Sequence, residues 1–488
     1  MELFLGLDPA LLPRFRAQPI LKAYRLGRSK TSSEQGVLFD SETLALRKRG
    51  ISVTILRRGR SFVESIQRGE EPPSFRRVAT QDPPAAPADQ PDLLLVPIFD
   101  YRLTRAVSLV GGPRWQAEMT IEQGDVNGRH RRAAYCRVSF RLLDGNAAPL
   151  IALLQALAEK LPLRLMSGRA WTAAFDCLRD RGPQPVKAKL PPLPEDCSNR
   201  QALRLIAHAG LEHLLANQDS LFDSGDPEAI HQMRVALRRL RSALSLFKPM
   251  LNDPQSQALR AELRWMQQTL GGARDGDVLL TEIVQPLERL YQFTPGYEGL
   301  VERIEQMRQA ERQAMLKEVA APRFGQSLLR LACWIEEAGQ GQAMAEEPVK
   351  SFAQSVIDRR YRQLRKRMAD FLSLDEIGRH LCRIQAKKLR YAIEFFGKLM
   401  SDRGSQKFIA ELAALQDGLG HLNDIAVGFR ILQRIGQQAE QAETAFVAGL
   451  VAGWHQNSVG DMVERAWDQW HEVEKLPRFW KDDKDGVK

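Results

Sequence analysis

His231-Gln-Met-Arg234-Val-Ala-Leu-Arg238-Arg239-Leu-Arg241 reads as one amphipathic helix with a cationic stripe. At ~100° per residue, offsets of 0, 3, 7 and 10 fall within roughly 80° of one another. His231, Arg234, Arg238 and Arg241 occupy those offsets. Met233, Leu237, Leu240 and Leu244 form a separate apolar stripe, the face expected to enter a core. Ahead of the helix, Asp226 is a good N-cap and Pro227 suits a first turn. Surface helices usually mix charge signs, so that residues three or four apart attract. Here the stripe is basic throughout, and its members repel unless an anion lies between them.

The stretch recurs 149 residues later as His380-Leu-Cys-Arg383-Ile-Gln-Ala-Lys387-Lys388-Leu-Arg390. Met266-Gln-Gln-Thr-Leu-Gly-Gly-Ala-Arg-Asp275 has its counterpart, Leu415-Gln-Asp-Gly-Leu-Gly-His-Leu-Asn-Asp424, at the same displacement. Two matches in one register mean an internal duplication. A period this long implies two similar helical bundles. Packed about a pseudo-twofold axis, they would bring the two basic stripes to face each other across one cleft.

The chain has 488 residues, more than one core usually organises, so two or three domains are expected. No apolar run reaches the ~18 residues of a membrane span, and the N-terminus lacks the pattern of a secretory signal. A cytoplasmic protein is therefore expected. Five scattered cysteines show no paired metal spacing and no secreted disulfide pattern, and neither a metal nor a cofactor is expected. A net charge of +10 favours an anionic partner: nucleic acid, polyphosphate or an acidic surface.

Residues 1–180 read mostly as strands, with period-two alternation in Ile51–Ile55, Phe62–Ile66, Ala117–Ile121 and Val138–Leu142. Glu70–Pro97, rich in proline, reads as a long loop, and Pro149–Leu161 as a helix. A Pro-rich linker is expected over 181–198. Residues 199–475 read as helices in two repeats, about 199–345 and 346–475, followed by a charged tail, 476–488. Helix breaks are expected at Gly271-Gly272 and at Gly418 to Gly420, among others. His208, His213, His421 and His455 read as packed or capping histidines, and Trp454, Trp467 and Trp470 as packing residues. Arg274-Asp275 and Asn423-Asp424 should cap helices or brace basic residues.

The repeated H-x-x-R-[VI]-x-x-[RK]-[RK]-L-R pattern, with its L-G-x-x-[RN]-D partner, resembles the CHAD family of helical domains. The resemblance covers most of residues 199–475. It implies two four-helix bundles related by pseudo-twofold symmetry around a basic pore, and binding of inorganic polyphosphate. By position, the ligand residues it implies are His231, Arg234, Arg238, Arg239 and Arg241, then His380, Arg383, Lys387, Lys388, Arg390 and the adjacent Tyr391. From the dense basic run Arg359 to Arg367, residues Arg362, Arg365 and Lys366 are candidates to extend the groove.

Residues 1 to about 180 resemble a worn CYTH domain, the triphosphate-tunnel β-barrel. Phe39-Asp40-Ser41, Leu46-Arg-Lys-Arg-Gly50-Ile51 and Gly168-Arg169-Ala170 stand at that family's motif positions. The fold class implied is α+β multidomain: an antiparallel β-barrel, then an all-α unit of two bundles. The family's chemistry is largely missing. Its E-x-E-x-K strand is here Glu2-Leu-Phe4-Leu-Gly6, and its later E-x-E-x-E strand is Arg137-Val-Ser139-Phe-Arg141. Triphosphate hydrolysis needs a divalent cation held by converging carboxylates. Glu2 beside two arginines, with Glu118 and Glu122 on a neighbouring strand, should form ion pairs instead.

The leading expectation is a non-catalytic polyphosphate binder, which could be targeted to polyphosphate granules. Guanidinium forks hold phosphate oxygens in pairs, and a bound polyanion should raise the pKa of His231 and His380. A metal-dependent triphosphatase in the N-terminal tunnel is the enzymatic alternative. Nucleic-acid backbone binding is a third, disfavoured because Tyr391 is the one aromatic in the stripes and base stacking needs more. No membrane partner is expected.

Overall fold

A computed structural model of the chain describes residues 2–68, 74–78, 93–128, 132–166, 184–190, 192–251, 253–338 and 348–481. Gly168-Arg169-Ala170, most of the Pro-rich loop, the break after Ala338 and the end of the charged tail lie outside these residues, as does the side chain of Arg274. Backbone contacts divide the chain into two units, Met1–Gln184 and Pro185–Lys488.

The first unit is an antiparallel sheet of nine strands. They are β1 (Glu2–Gly6), β2 (Arg25–Asp40), β3 (Ile51–Arg58), β4 (Ser61–Arg68), β5 (Ser74–Val78), β6 (Val96–Gly112), β7 (Trp115–Gly128), β8 (Arg132–Gly145) and β9 (Arg164–Met166). They pair in the order β5-β4-β3-β2-β6-β7-β8-β1-β9. Both faces carry apolar clusters. Val37, Phe39, Val53 and Ile55 pack on one side, and Leu38, Phe99, Tyr101, Leu103 and Val126 on the other, the alternation a pleat imposes. The expected loop over Glu70–Pro97 contains β5, paired to β4 through Ser65↔Phe75, and runs into β6. Its Ser-Phe-Arg-Arg-Val run is long enough to add an edge strand despite the flanking prolines. Helix α1 (Ala147–Lys160) begins two residues before Pro149, because Asn146 caps it by accepting from Ala148 N at 2.8 Å.

Asp40 is buried and accepts three backbone N–H groups: Ser41 and Leu46 on Oδ1 at 2.7 and 2.9 Å, and Arg47 on Oδ2 at 2.9 Å. It thereby joins the Phe39-Asp40-Ser41 and Leu46–Gly50 motifs.

The second unit is helical: α2 (Asn199–Ser224), α3 (Pro227–Leu246), α4 (Pro254–Thr269), α5 (Gly271–Val278), α6 (Tyr297–Ala320), α7 (Pro322–Ala338), α8 (Val349–Met368), α9 (Glu376–Phe396), α10 (Asp402–Gln438), α11 (Ala442–Asn457) and α12 (Val459–Lys475). Side chains cap several of the starts. Asp226, Asp253, Asp375 and Ser401 each accept a first-turn N–H, and Ser198 and Gln201 form a capping box.

Helices α2, α3, α4 and α7 close one four-helix bundle, each touching the next around the ring. Met233, Leu237, Leu240 and Leu244, the apolar stripe of α3, are buried in it. Each such residue contributes about 2 kcal/mol by leaving water. Their repeat counterparts α8, α9 and α10, with α12, form the second bundle, closed by Tyr361 against Trp470 at 6.2 Å between ring centroids. A shared core joins the bundles. Leu279, Ile283, Leu300 and Ile304 of the first repeat meet Ile425, Leu432, Val447 and Val451 of the second. Gly296, at φ +94°, opens α6 where a Cβ would stand 2.3 Å from the Glu443 carbonyl carbon, so glycine alone fits.

Two expectations fail here. The break at Gly418 to Gly420 is absent, and α10 runs unbroken for 37 residues. Gly418 serves close approach instead: a Cβ there would meet the Gln469 side chain at 2.6 Å. Trp454 is 51% exposed, whereas Trp470 is buried and Trp467 stacks on Phe371. The segment read as a linker is packed at Val186, whose N–H donates to Asn217 Oδ1 at 2.8 Å while its carbonyl accepts from Asn217 Nδ2 at 2.9 Å.

Candidate functional site

The two basic stripes lie on α3 and α9, and these equivalent helices pack against each other. Contact between equivalent elements is what a twofold relation produces. Two cross-helix bonds fix the pairing. Arg238 Nε donates to Tyr391 Oη at 3.3 Å, and Arg239 Nη2 donates to Glu394 Oε2 at 2.7 Å.

The repeat extends to individual side-chain contacts. Arg234 Nη2 stands 3.8 Å from Asp275, and 149 residues on, Arg383 Nη2 stands 3.8 Å from Asp424. Arg241 Nη1 donates to Gln267 at 2.5 Å, and its counterpart Arg390 donates to Gln416 at 3.4 Å. Gly271 and Gly420 occupy equivalent positions, and a Cβ there would lie 3.3 Å from Arg234 Nη1 and 3.9 Å from Arg383 Nη2. Arg234 Nη1 also donates to the Leu270 carbonyl at 2.9 Å, where the break between α4 and α5 frees it.

Charge in the cleft is unbalanced. Arg234, Arg239, Arg383 and Arg390 pair with the carboxylates Asp275, Asp424 and Glu394, while Arg238 and Lys387 stand among them without an ion pair of their own among the described residues. Burial, then Arg383 and Arg238, push the Lys387 amine down to about 7, with Asp424 opposing. Arg383 is lowered by burial and by Arg238, against the pull of Asp424. Arg241 is lowered by burial and Arg264. The shifts on Lys387 and Arg383 come in part from Arg238 of the other row, in keeping with the cross-helix bonds.

Not every residue of the expected set stands in the same environment. Glu394 holds Arg239 on one oxygen and Arg390 on the other, at 2.7 and 2.9 Å. Lys388 faces the α8 guanidiniums Arg360 and Arg367, which together with burial lower its amine. His231 is half-buried on α3, and His380 is exposed, with Nδ1 2.6 Å from Asn423 Oδ1. Of the two roles expected for Asn423-Asp424 and Asp275, bracing is the one found.

Arg362, Arg365 and Lys366 do not join this group. They lie on the exposed side of α8, where Arg362 pairs with Asp358 at 2.9 Å and Arg365 with Glu474 at 3.3 Å. On a 3.6-residue helix, Arg360 and Arg367 share the face toward α9, and those three residues do not. Glu394, Gln267 and Gln416 escaped the sequence reading as partners of the basic rows. The glutamines were legible in principle, since both sit at one register position of the repeated second segment.

His213 and His455 are buried and hydrogen-bonded to the Val186 and Ile283 carbonyls at 3.0 and 2.7 Å. A cavity of about 160 Å³ lies beside Arg308, which Asp277 and Glu305 already hold at 2.7 Å each. It is separate from the basic rows.

On the sheet, the register places Glu2, Phe4, Tyr101, Arg105, Glu118, Glu122, Tyr135, Arg137 and Arg141 on one face. Arg137 sits opposite Glu122 and bonds it at 2.9 Å, and Arg141 sits opposite Glu118 and bonds it at 3.0 Å. Tyr101 donates to Glu34 at 3.0 Å.

Residues 205–433 match the CHAD domain family. The crystal structure of the CHAD domain from the plant Ricinus communis is similar at 31% identity and TM-score 0.54, covering 61% of this chain and 98% of that one. The chain belongs to the CHAD domain family. It is also 26% identical over 366 residues to an uncharacterized protein of Mycobacterium tuberculosis, found in two strains, covering 73% of this chain and 63% of the relative. The chain thus spans less than two thirds of the curated relatives it matches. A Hippeastrum protein whose structure is described as revealing a dominant triphosphatase activity is 13% identical at TM-score 0.24, covering 36% of this chain and 93% of that one. That likeness is too remote to carry weight.

Proposed function

We propose that this chain binds inorganic polyphosphate between α3 and α9 without hydrolysing it. One observation carries the reading: Arg234, Arg238 and Arg383 converge on half-buried Lys387, whose amine is lowered by burial first and then by these guanidiniums. A linear polyanion relieves that crowding along its length, and guanidinium forks grip its oxygens in pairs. Family membership supports the ligand, since polyphosphate binding is what the resemblance implies. The carboxylates that a triphosphatase would use for a divalent cation, Glu118 and Glu122, are engaged by Arg141 and Arg137. Recruitment to polyphosphate granules follows as the cellular role. No helix among the described residues is long and apolar enough to cross a membrane.

The test uses the full chain and fluorescent polyphosphate of defined length, read by anisotropy. Arg238→Ala with Lys387→Ala should weaken binding at least about thirtyfold, the scale of two lost charge-assisted contacts, while the melting temperature holds or rises. RNA at equal phosphate concentration should compete poorly. Preferential RNA binding, or phosphate release with Mg²⁺ or Mn²⁺ that Glu122→Ala abolishes, would overturn the proposal.

A further inference from the structure

Equivalent positions of the two rows exchange arginine for lysine twice, 238 and 239 against 387 and 388, and of the two lysines Lys388 faces α8 while Lys387 faces the rows. Lys387 is half-buried on α9 and, among the described residues, makes no hydrogen bond or ion pair. Around it stand Arg383 from its own helix, Arg234 and Arg238 from α3, and Asp424 from α10. That carboxylate is shared with Arg383, which Asp275 of α5 and Tyr391 also face. Lys387 is therefore outnumbered by fixed positive charge, in a place where its neighbours cannot shed theirs.

Resting on the polyphosphate reading, we infer that a phosphate chain entering this cleft brings a proton to Lys387, so that binding and protonation form one coupled step. The amine takes the proton from buffer water, one N–H bond forms, and nothing is oxidised or reduced. A polyanion between the rows cancels the repulsion and restores the ordinary basicity of a lysine, near about 10. Without ligand, burial and then Arg383 and Arg238 push the amine down to about 7. Between those limits the complex holds more protons than its separate parts, so affinity falls as pH rises. Arginine at 387 would bind without this dependence.

The test is titration calorimetry of the full chain with polyphosphate of defined length at pH 8, in two buffers of different ionisation heat. Wild type should take up more than about half a proton per bound chain, and its affinity should fall about tenfold from pH 6.5 to 8.5. Lys387→Arg and Lys387→Met carry the same ligand and histidine background. Both should take up at least about half a proton less than wild type at pH 8, and their affinities should fall several-fold less over that range. Equal uptake by wild type and both variants, or none by any, overturns the coupling and leaves the polyphosphate reading standing. No binding by wild type even at pH 6.5 overturns both.

Discussion

Arg239 of α3 and Glu394 of α9 form an ion pair of 2.7 Å, with side chains only 16% and 9% exposed, and it ties one repeat to the other. Arg239 Nε and Nη1 are buried with no other partner. Removing the carboxylate therefore strands a guanidinium, which costs more than the pair itself is worth. Glu394→Gln should destabilise the helical unit by about 3 kcal/mol and lower its melting temperature by several degrees. Saturating polyphosphate should recover part of that loss, measured as a larger ligand-induced shift than in wild type.

On the proposed reading, Asp275 and Asp424 compete with phosphate oxygens for Arg234 and Arg383. At 3.8 Å and partly exposed they are loose partners, and their loss should cost under about 1 kcal/mol of stability. Asp275→Asn with Asp424→Asn should tighten polyphosphate binding roughly fivefold, read by anisotropy at fixed salt. Weaker binding would mean that the carboxylates aim the guanidiniums rather than compete for them.

Lys387 is held below its unfolded-state basicity, so it opposes folding wherever the unfolded chain keeps the proton. That penalty is complete below about pH 7, shrinks as pH rises, and is gone above the ordinary lysine value near about 10. Lys387→Met should raise the melting temperature of the ligand-free protein at pH 6.5 and leave it nearly unchanged at pH 10. A gain independent of pH would assign the effect to packing alone.

Arg362, Arg365 and Lys366 lie on the exposed side of α8, where Asp358 pairs with Arg362 and Glu474 with Arg365. Replacing all three by alanine should change polyphosphate affinity less than about threefold at 0.15 M salt, where distant exposed charges are largely screened. A loss comparable to that of the Arg238/Lys387 double variant would place the ligand on the outer side of α8.

The doubled stripe was legible because like-charged residues at helical spacing have few other uses, and because the 149-residue register fixed its partner. Arg234, Arg238, Arg383 and Lys387 follow from that reading. Gln267 and Gln416 did not, since a neutral amide leaves no mark in a charge pattern. Gly418 looks like punctuation in the sequence, whereas in the fold it admits Gln469, a tertiary demand no local rule contains. Strands β2 and β6 also escaped. The first carries the polar run Ser29-Lys-Thr-Ser-Ser-Glu-Gln35, and the second opens at Val96-Pro97 beside the Pro-rich segment, which masks its alternation.

Because one polypeptide supplies both halves, the cleft need not be its own mirror. Had two identical subunits met here, every substitution would have been imposed on both sides at once. Joined end to end, the halves can drift apart, and they have: Arg238 stands against Lys387, and buried Ser242 against Tyr391. The two rows thus differ in kind as well as in place, and a polymer laid between them would meet arginine on one side where it meets lysine on the other.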